Sequence, residues 1–206
     1  MAKPIVTCLD MEGVIAPEMW LAVADHFQVQ ELKMTTRDIP DYDELMQKRL
    51  VVLRQNGIKL QDIQNIIEGL SPLEGATAFL AWLRERCQVV ILSDTYYEFV
   101  APLMKQMQYP TIFCHSLEVD AEGFISQYHL RIPDQKRQAV MAFKNIGFRV
   151  LAAGDSYNDI SMLKEADAGI LFCPPDSIQE EFPQFPVTRT YEAFQAHLAR
   201  AGGFAT

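Results

Sequence analysis

Three short runs of β-branched and aliphatic residues, at 4–9, 88–93 and 149–154, each stop at a polar cluster: Asp10-Met-Glu12, Ser93-Asp94-Thr95 and Gly154-Asp155. A short and almost unbroken apolar run is the pattern of a strand buried on both faces of a parallel sheet. The second and third runs lead into helical patterns at 96–107 and 158–165. Strands alternating with helices predict an α/β fold with a Rossmann-like parallel sheet. In such sheets ligands collect beyond the carboxyl ends of the strands, so the three polar clusters are expected on one rim.

Between the first and second runs the alternation breaks down. Helical patterns occupy 18–27, 41–54 and 60–70, with breakers at Pro40, Asn56-Gly57 and Ser71-Pro72 and no convincing strand. This segment is expected to be a helical cap, residues 17–75, inserted after the first strand of an α/β core formed by 1–16 and 76–206. The pattern at 75–86 returns to the sheet with Phe79, Leu80 and Leu83 on one face. Alternating residues at 117–132 around Glu122-Gly123 predict an appended hairpin. The helical pattern at 135–146 follows Pro133.

With 206 residues, 49% of them hydrophobic, the chain can bury a sizeable core, which excludes a disordered tail. The 18 Lys+Arg against 27 Asp+Glu give a net charge of −9, and no basic run offsets it. Nucleic acid is therefore not an expected partner, whereas a small phosphorylated metabolite is, provided a divalent cation cancels charge locally. Cys8, Cys87, Cys114 and Cys173 have no zinc-like spacing and are expected to be reduced core thiols. His26, His115, His129 and His197 lack paired spacing and are taken as structural or exposed, and Trp20 and Trp82 as core. The N-terminal apolar run is cut at Asp10, far short of the ~20 residues of a membrane span, and no signal-peptide pattern precedes it, so a cytoplasmic location without membrane attachment is expected. The oligomeric state is left open, a homodimer being one option.

The chemistry-bearing residues follow from the strand ends. Alternation points the Asp10 and Glu12 carboxylates to one side, where two acids can divide the work of nucleophile or metal ligand and proton donor, although a solvated turn would look the same. Gly154-Asp155-Ser-Tyr-Asn158-Asp159 opens a helix with two carboxylates four residues apart. A hard cation such as Mg²⁺ would take oxygen ligands from Asp10 and Asp155. Ser93-Asp94-Thr95 offers a hydroxyl and backbone N–H groups for phosphate oxygens. Lys136, at a helix start, is a surface lysine unless a phosphate lies beside it. Arg49 stands four residues after Leu45 and four before Leu53, on a stripe that should be apolar, so it either snorkels or faces a ligand. No Gly-x-Gly-x-x-Gly or Gly-x-x-x-x-Gly-Lys-Ser/Thr occurs, which leaves nucleotide-dependent kinase chemistry unsupported.

Taken in order, Asp10-Met-Glu12-Gly13-Val14, Ser93 after an apolar strand, Lys136 and Gly154-Asp155-Ser-Tyr-Asn-Asp159 resemble the four motifs of the haloacid dehalogenase superfamily of phosphatases. The cap position is similar to that of its phosphoserine phosphatase branch. Cys8-Leu-Asp10-Met-Glu12-Gly-Val, Thr36-Arg-Asp-Ile-Pro-Asp-Tyr-Asp43, Val90-Ile-Leu-Ser-Asp-Thr95 and Ala153-Gly-Asp-Ser-Tyr-Asn-Asp159 resemble more closely the subgroup that combines phosphoserine phosphatase with homoserine phosphotransferase activity.

The resemblance implies that Asp10 is the nucleophile and Glu12 the acid and base. It implies that Asp10, the Glu12 carbonyl and Asp155 hold Mg²⁺ with support from Asp159. Glu18, Arg49, Ser93, Asp94, Lys136 and Asn158 would bind substrate, Arg49 and Glu18 gripping the carboxylate and amino group of L-phosphoserine. Two departures, Glu12 in place of the more usual Asp and Asp94-Thr95 in place of Gly-Gly, occur in that subgroup too and imply transfer to homoserine as a side activity. The alternatives are a phosphatase of another small phosphorylated metabolite and a non-catalytic Mg²⁺-binding phospho-acceptor module.

Overall fold

The computed structural model describes residues 3–35, 38–39 and 41–204. The Pro40 breaker and the Thr36 and Arg37 portion of the motif at 36–43 lie outside the described residues. Seven strands form one sheet: β1 (Ile5–Leu9), β2 (Gln88–Tyr96), β3 (Thr111–Val119), β4 (Ile125–His129), β5 (Arg149–Gly154), β6 (Ala168–Phe172) and β7 (Val187–Thr188). Their order is β4-β3-β2-β1-β5-β6-β7, parallel throughout except for the antiparallel β3–β4 pair. The first strand is thus central. Thr7 pairs with Val89 on one side and Leu151 on the other, and the ends of β1, β2 and β5 lie side by side at the point where the strand order reverses.

Alternate residues of the central strands enter two cores. Val6, Cys8, Val90, Leu92, Val150 and Ala152 pack with α6 (Gln135–Asn145) and α7 (Ile160–Glu165) on one face. Leu9, Ile91, Leu151 and Ala153 face α4 (Ala76–Arg84) and α9 (Tyr191–Gly202) on the other. This second core continues without a break into α1 (Met19–Phe27), α2 (Tyr42–Gln55), α3 (Leu60–Glu68) and α5 (Tyr97–Met104). No strand interrupts the described residues between β1 and α4, as the sequence predicts. Asp41 caps α2 by accepting the Glu44 N–H at 3.0 Å.

The 117–132 hairpin exists, but its first arm begins earlier, at Thr111, because those residues pair in parallel with β2. It clasps α2. Arg54 donates to Asp120 at 2.6 and 3.1 Å, the Leu60 N–H meets the Gly123 carbonyl at 3.0 Å, and the Tyr128 hydroxyl donates to Asp43. The β2 strand runs past Ser93 to Tyr96, through a register shift after Leu92, so the helix expected from residue 96 starts one residue later. The helix expected at 158–165 begins as a tight 3-10 turn, Tyr157–Asp159. The strands β6 and β7, α8 (Asp176–Glu181) and α9 carried no sequence assignment.

Two of the cysteines depart from the expected core placement. Cys87 is half-buried beside Thr7 Oγ1 at 3.2 Å, and Cys173 is exposed, because the chain turns outward there in a left-handed conformation ahead of two prolines. All four thiols are free. No helix among the described residues is long and apolar enough to cross a membrane.

Phe79 of α4 shows how the sheet is backed. Its ring lies 4.7 Å from Phe194 and 5.1 Å from Tyr191, both of α9, and it is fully buried. Tyr191 in turn donates to the Val14 carbonyl at 2.7 Å, bracing the loop after β1. Phe79→Ala is expected to lower unfolding stability by about 3–5 kcal/mol, measured by urea denaturation; a loss below about 1 kcal/mol would contradict this packing account.

Candidate active site

The loop after β1 is wound tightly. The Met11 carbonyl accepts N–H bonds from Ile15 at 2.8 Å and Ala16 at 2.9 Å, and the Gly13 N–H returns to the Ala16 carbonyl at 2.9 Å. Gly13 adopts φ +75°, and a Cβ there would lie 2.5 Å from a carboxylate oxygen of Asp155. A side chain is therefore excluded by both backbone and space. Gly154 serves the same closeness across the site, since its Cβ would meet the Asp159 carboxyl carbon at 2.2 Å.

Lys136, at the start of α6, carries its ammonium into the gap between the strand ends. It stands 2.9 Å from Asp10 Oδ1, 2.8 Å from Asp159 Oδ1 and 3.5 Å from Asp94 Oδ2, and only 2% of the residue is exposed. Burial opposes its charge, yet Asp10, Asp159 and Asp94 outweigh that and hold its pKa well above the ordinary value. The surface-lysine alternative is thereby excluded. Asp159 is fully buried, and its other oxygen accepts the N–H groups of Asp155 at 3.0 Å and Ser156 at 3.1 Å.

One carboxylate oxygen each from Asp10, Asp155 and Asp159 falls within 4.8 Å of the others. Burial pushes the Asp10 carboxyl well above its ordinary pKa, with Asp159 and Asp155 adding to the push and Lys136 opposing it. Burial, then Asp159 and Glu18, push Asp155 up to about 7. The cluster thus holds more potential negative charge than one ammonium neutralises. An all-oxygen anionic set in that condition fits a further hard divalent cation. Both Asp159 oxygens are engaged, by Lys136 and by two backbone N–H groups, whereas the donors to Asp10 both meet Oδ1, so Asp10 and Asp155 are the residues better placed to hold it.

Glu12 is not one of these three clustered acids. Its Oε1 accepts the Met19 N–H at 2.7 Å, at the first turn of α1. Burial and then Glu18 push its pKa to about 7, against the Met19 N–H, Lys136 and Arg49. Glu18 is the N-cap residue of α1, its own pKa raised by burial and opposed by Arg49.

Arg49 does not snorkel. It is 7% exposed, its guanidinium carbon sits 4.4 Å from the Trp20 ring centroid, and Nη2 donates to the Met34 carbonyl at 2.7 Å. Its Nε is buried without a partner among the described residues.

Ser93 is buried and accepts the Thr95 N–H at 3.3 Å, so one of the backbone donors expected for phosphate is already engaged. Asp94 is ringed by Gln135, Asn158, Lys136 and His115. Asn158 gives its Nδ2 to Asp94 at 2.7 Å and takes the Ser156 hydroxyl on its oxygen. The structure therefore gathers Asp10, Ser93, Asp94, Lys136, Asn158, Asp155 and Asp159 at one rim. Glu12, Glu18 and Arg49 form a second group that shares the electrostatics of Lys136.

Sequence reasoning missed three residues. Gln135 is buried and donates to the Ser93 carbonyl at 2.6 Å, Tyr42 shares a 2.9 Å hydroxyl contact with Tyr96, and Trp20 stacks on Arg49. The position of Gln135 beside Lys136 and that of Tyr42 within the motif at 36–43 are the signals that could have flagged two of them.

Glu12 and Asp155 are raised to about 7, so the folded protein binds protons that the unfolded chain has released above its ordinary carboxyl range. Their stabilisation is complete below that range and is lost as pH rises through about 7. In chelator, the melting temperature is expected to fall between pH 5.5 and about 8. A divalent cation held by Asp155 displaces its proton, so the affinity should climb up to about tenfold per pH unit below about 7. A cation-induced melting shift that shrinks with rising pH would contradict the assignment.

Residues 8–167 match the haloacid dehalogenase-like hydrolase family. The chain is 56% identical over 196 residues to the phosphoserine phosphatase ThrH of Pseudomonas aeruginosa, covering 95% of this chain and 96% of the relative. It is 54% identical over 196 residues to a phosphoserine phosphatase of Pseudomonas syringae pv. tomato, covering 95% and 83%. Among solved structures, a phospho-aspartyl intermediate analogue of phosphoserine phosphatase superposes with TM-score 0.77 at 19% identity over 95% of this chain and 99% of that one. On these matches and on the arrangement of its strand ends, the chain belongs to the haloacid dehalogenase-like hydrolase family.

Proposed function

We propose that the chain is a Mg²⁺-dependent phosphatase that hydrolyses L-phosphoserine through an aspartyl-phosphate on Asp10 and also passes the phosphoryl group to homoserine. The phosphoserine phosphatases of two Pseudomonas species support the substrate, since each matches 95% of the chain. The observation that carries it is Arg49, a buried guanidinium whose Nε has no partner among the described residues, in electrostatic reach of Glu12 and Glu18. A buried donor without a partner is costly, and a substrate carboxylate would satisfy it. Glu18 would take the amino group. Both come from the helical cap, 17–75, while the core, 1–16 and 76–206, supplies the phosphoryl site.

The steps follow from the residues. An Asp10 carboxylate oxygen attacks phosphorus as the bond to the serine oxygen breaks, and Glu12 gives that oxygen its proton. Glu12, now a carboxylate, takes a proton from water or from the homoserine hydroxyl as the new oxygen attacks the aspartyl-phosphate, which frees Asp10. A group raised to about 7 is suited to both transfers near neutrality. Lys136 and the Ser93 hydroxyl hold the phosphoryl oxygens. Mg²⁺, held by Asp10, the Glu12 carbonyl and Asp155 with Asp159 in support, would neutralise charge on Asp10 and the phosphoryl group. Homoserine competes with water because its zwitterionic head equals that of serine, so the same Arg49 and Glu18 contacts place a hydroxyl one methylene further along.

Arg49→Ala is expected to raise KM for L-phosphoserine roughly 10- to 100-fold, the worth of a charge-assisted hydrogen bond, with little change for an aryl phosphate. Equal losses on both substrates would remove the carboxylate clamp. Adding homoserine is expected to lower phosphate release while O-phosphohomoserine appears by mass. Release unaffected by homoserine would restrict the enzyme to hydrolysis.

A further inference from the structure

Asp94 is an unexpected neighbour for a phosphoryl group, because a carboxylate there repels the substrate's negative charge. Its surroundings explain its presence. Oδ1 accepts from Gln135 Nε2 at 3.1 Å and faces His115 Nε2 at 3.6 Å, and Oδ2 accepts from Asn158 Nδ2 at 2.7 Å and faces Lys136 Nζ at 3.5 Å. The orientations of these partners are fixed from behind. The Arg131 N–H donates to His115 Nδ1 at 3.1 Å, which leaves the ring proton of a neutral imidazole on Nε2, toward Asp94. Arg131 Nε donates to Gln135 Oε1 at 3.1 Å, which turns the Gln135 amide nitrogen to Asp94 and to the Ser93 carbonyl. The backbone carbonyl of Asp94 also lies 3.5 Å from the Tyr42 hydroxyl. One side chain therefore links β3, α6 and the 3-10 turn after β5 to the end of β2.

We propose that Asp94 is a positioning residue for phosphoryl transfer, whose carboxylate fixes Asn158 and the Lys136 ammonium relative to Asp10 and does not itself contact substrate. Each of its oxygens already faces two donors, so neither is left to receive a substrate amino group. Burial alone would neutralise this acid, but Lys136 and the hydrogen bonds from His115, Gln135 and Asn158 keep it ionised, its pKa held far below the usual carboxylate range. Removing it frees the Asn158 amide and leaves Lys136 with Asp10 and Asp159 alone. The inference rests on the phosphatase function proposed above.

The test compares Asp94→Asn, Asp94→Ala, Asn158→Ala and the Asp94→Ala/Asn158→Ala double variant on L-phosphoserine and on p-nitrophenyl phosphate. The asparagine variant keeps the shape but presents an amide nitrogen where one pair of donors needs an acceptor, and its melting curve reports whether the fold survives. The expected result is a kcat loss of about tenfold or more on both substrates, with KM for L-phosphoserine held within about threefold. The double variant should lose less than the product of the single losses, because the two residues act as a unit. A tenfold rise in KM for L-phosphoserine with aryl phosphate turnover intact would make Asp94 a substrate contact and overturn the proposal. Unchanged kcat, or losses that multiply independently, would overturn it equally. Since the aryl ester has no amino-acid head, a wild-type enzyme inactive on L-phosphoserine but active on the ester would refute the substrate assignment and still leave the role of Asp94 measurable.

Discussion

The Lys136 ammonium is the point on which the site depends, buried and within 3.5 Å of carboxylates from the ends of β1 and β2 and from the turn after β5. Removing a charge from water costs several kcal/mol, and that cost is met here only while all three carboxylates hold their places. Loss of one partner from such a cluster leaves a buried charge uncompensated and costs about 3–5 kcal/mol. The central position of β1 makes this convergence geometrically available, since its neighbours on either side deliver Asp94 and the 155–159 turn. Glycines at 13 and 154 then let the turns close to a distance that any Cβ would forbid.

The electrostatic balance of the site follows. Burial, and then repulsion among acids that one ammonium does not neutralise, push Asp10 and Asp155 toward their neutral forms, while Asp94, supplied with donors, stays ionised. Asp10 differs from Asp94 in that no side-chain amide donates to it among the described residues. Among the described residues its side chain bonds only the Met11 N–H and Lys136. The same environment thus separates an acid free to react from an acid committed to holding others. Glu12 at the mouth of α1 and Arg49 on Trp20 form a second charged group.

Much of this was legible in the sequence because its signals are local. The apolar runs ending at Asp10, Ser93 and Gly154 mark the strands β1, β2 and β5 and their common rim, and the helical patterns between Pro17 and Gly75 match α1, α2 and α3. An arginine on an otherwise apolar helix stripe flagged Arg49. What stayed hidden depends on tertiary contact. The first half of β3, from Thr111, is a strand because β2 lies beside it. The short β7 exists only by pairing with β6. Gln135, His115 and Arg131 read as unremarkable polar residues, and their shared hold on Asp94 needs His115 and Gln135 to meet it from 21 and 41 positions away, with Arg131 holding both from behind. The expectation that every cysteine is a core thiol failed at Cys173 because hydrophobicity says nothing about where a chain turns back to solvent.

The central claim is that Asp10 carries the phosphoryl group. The most direct measurement is a rapid acid quench of the enzyme during turnover of L-phosphoserine with Mg²⁺, followed by peptide mass spectrometry. The account predicts a phosphoryl mass increment on the peptide that contains Asp10, appearing before free phosphate and decaying with turnover. Phosphate release at full rate with no increment on that peptide, or an increment on another residue, would contradict it.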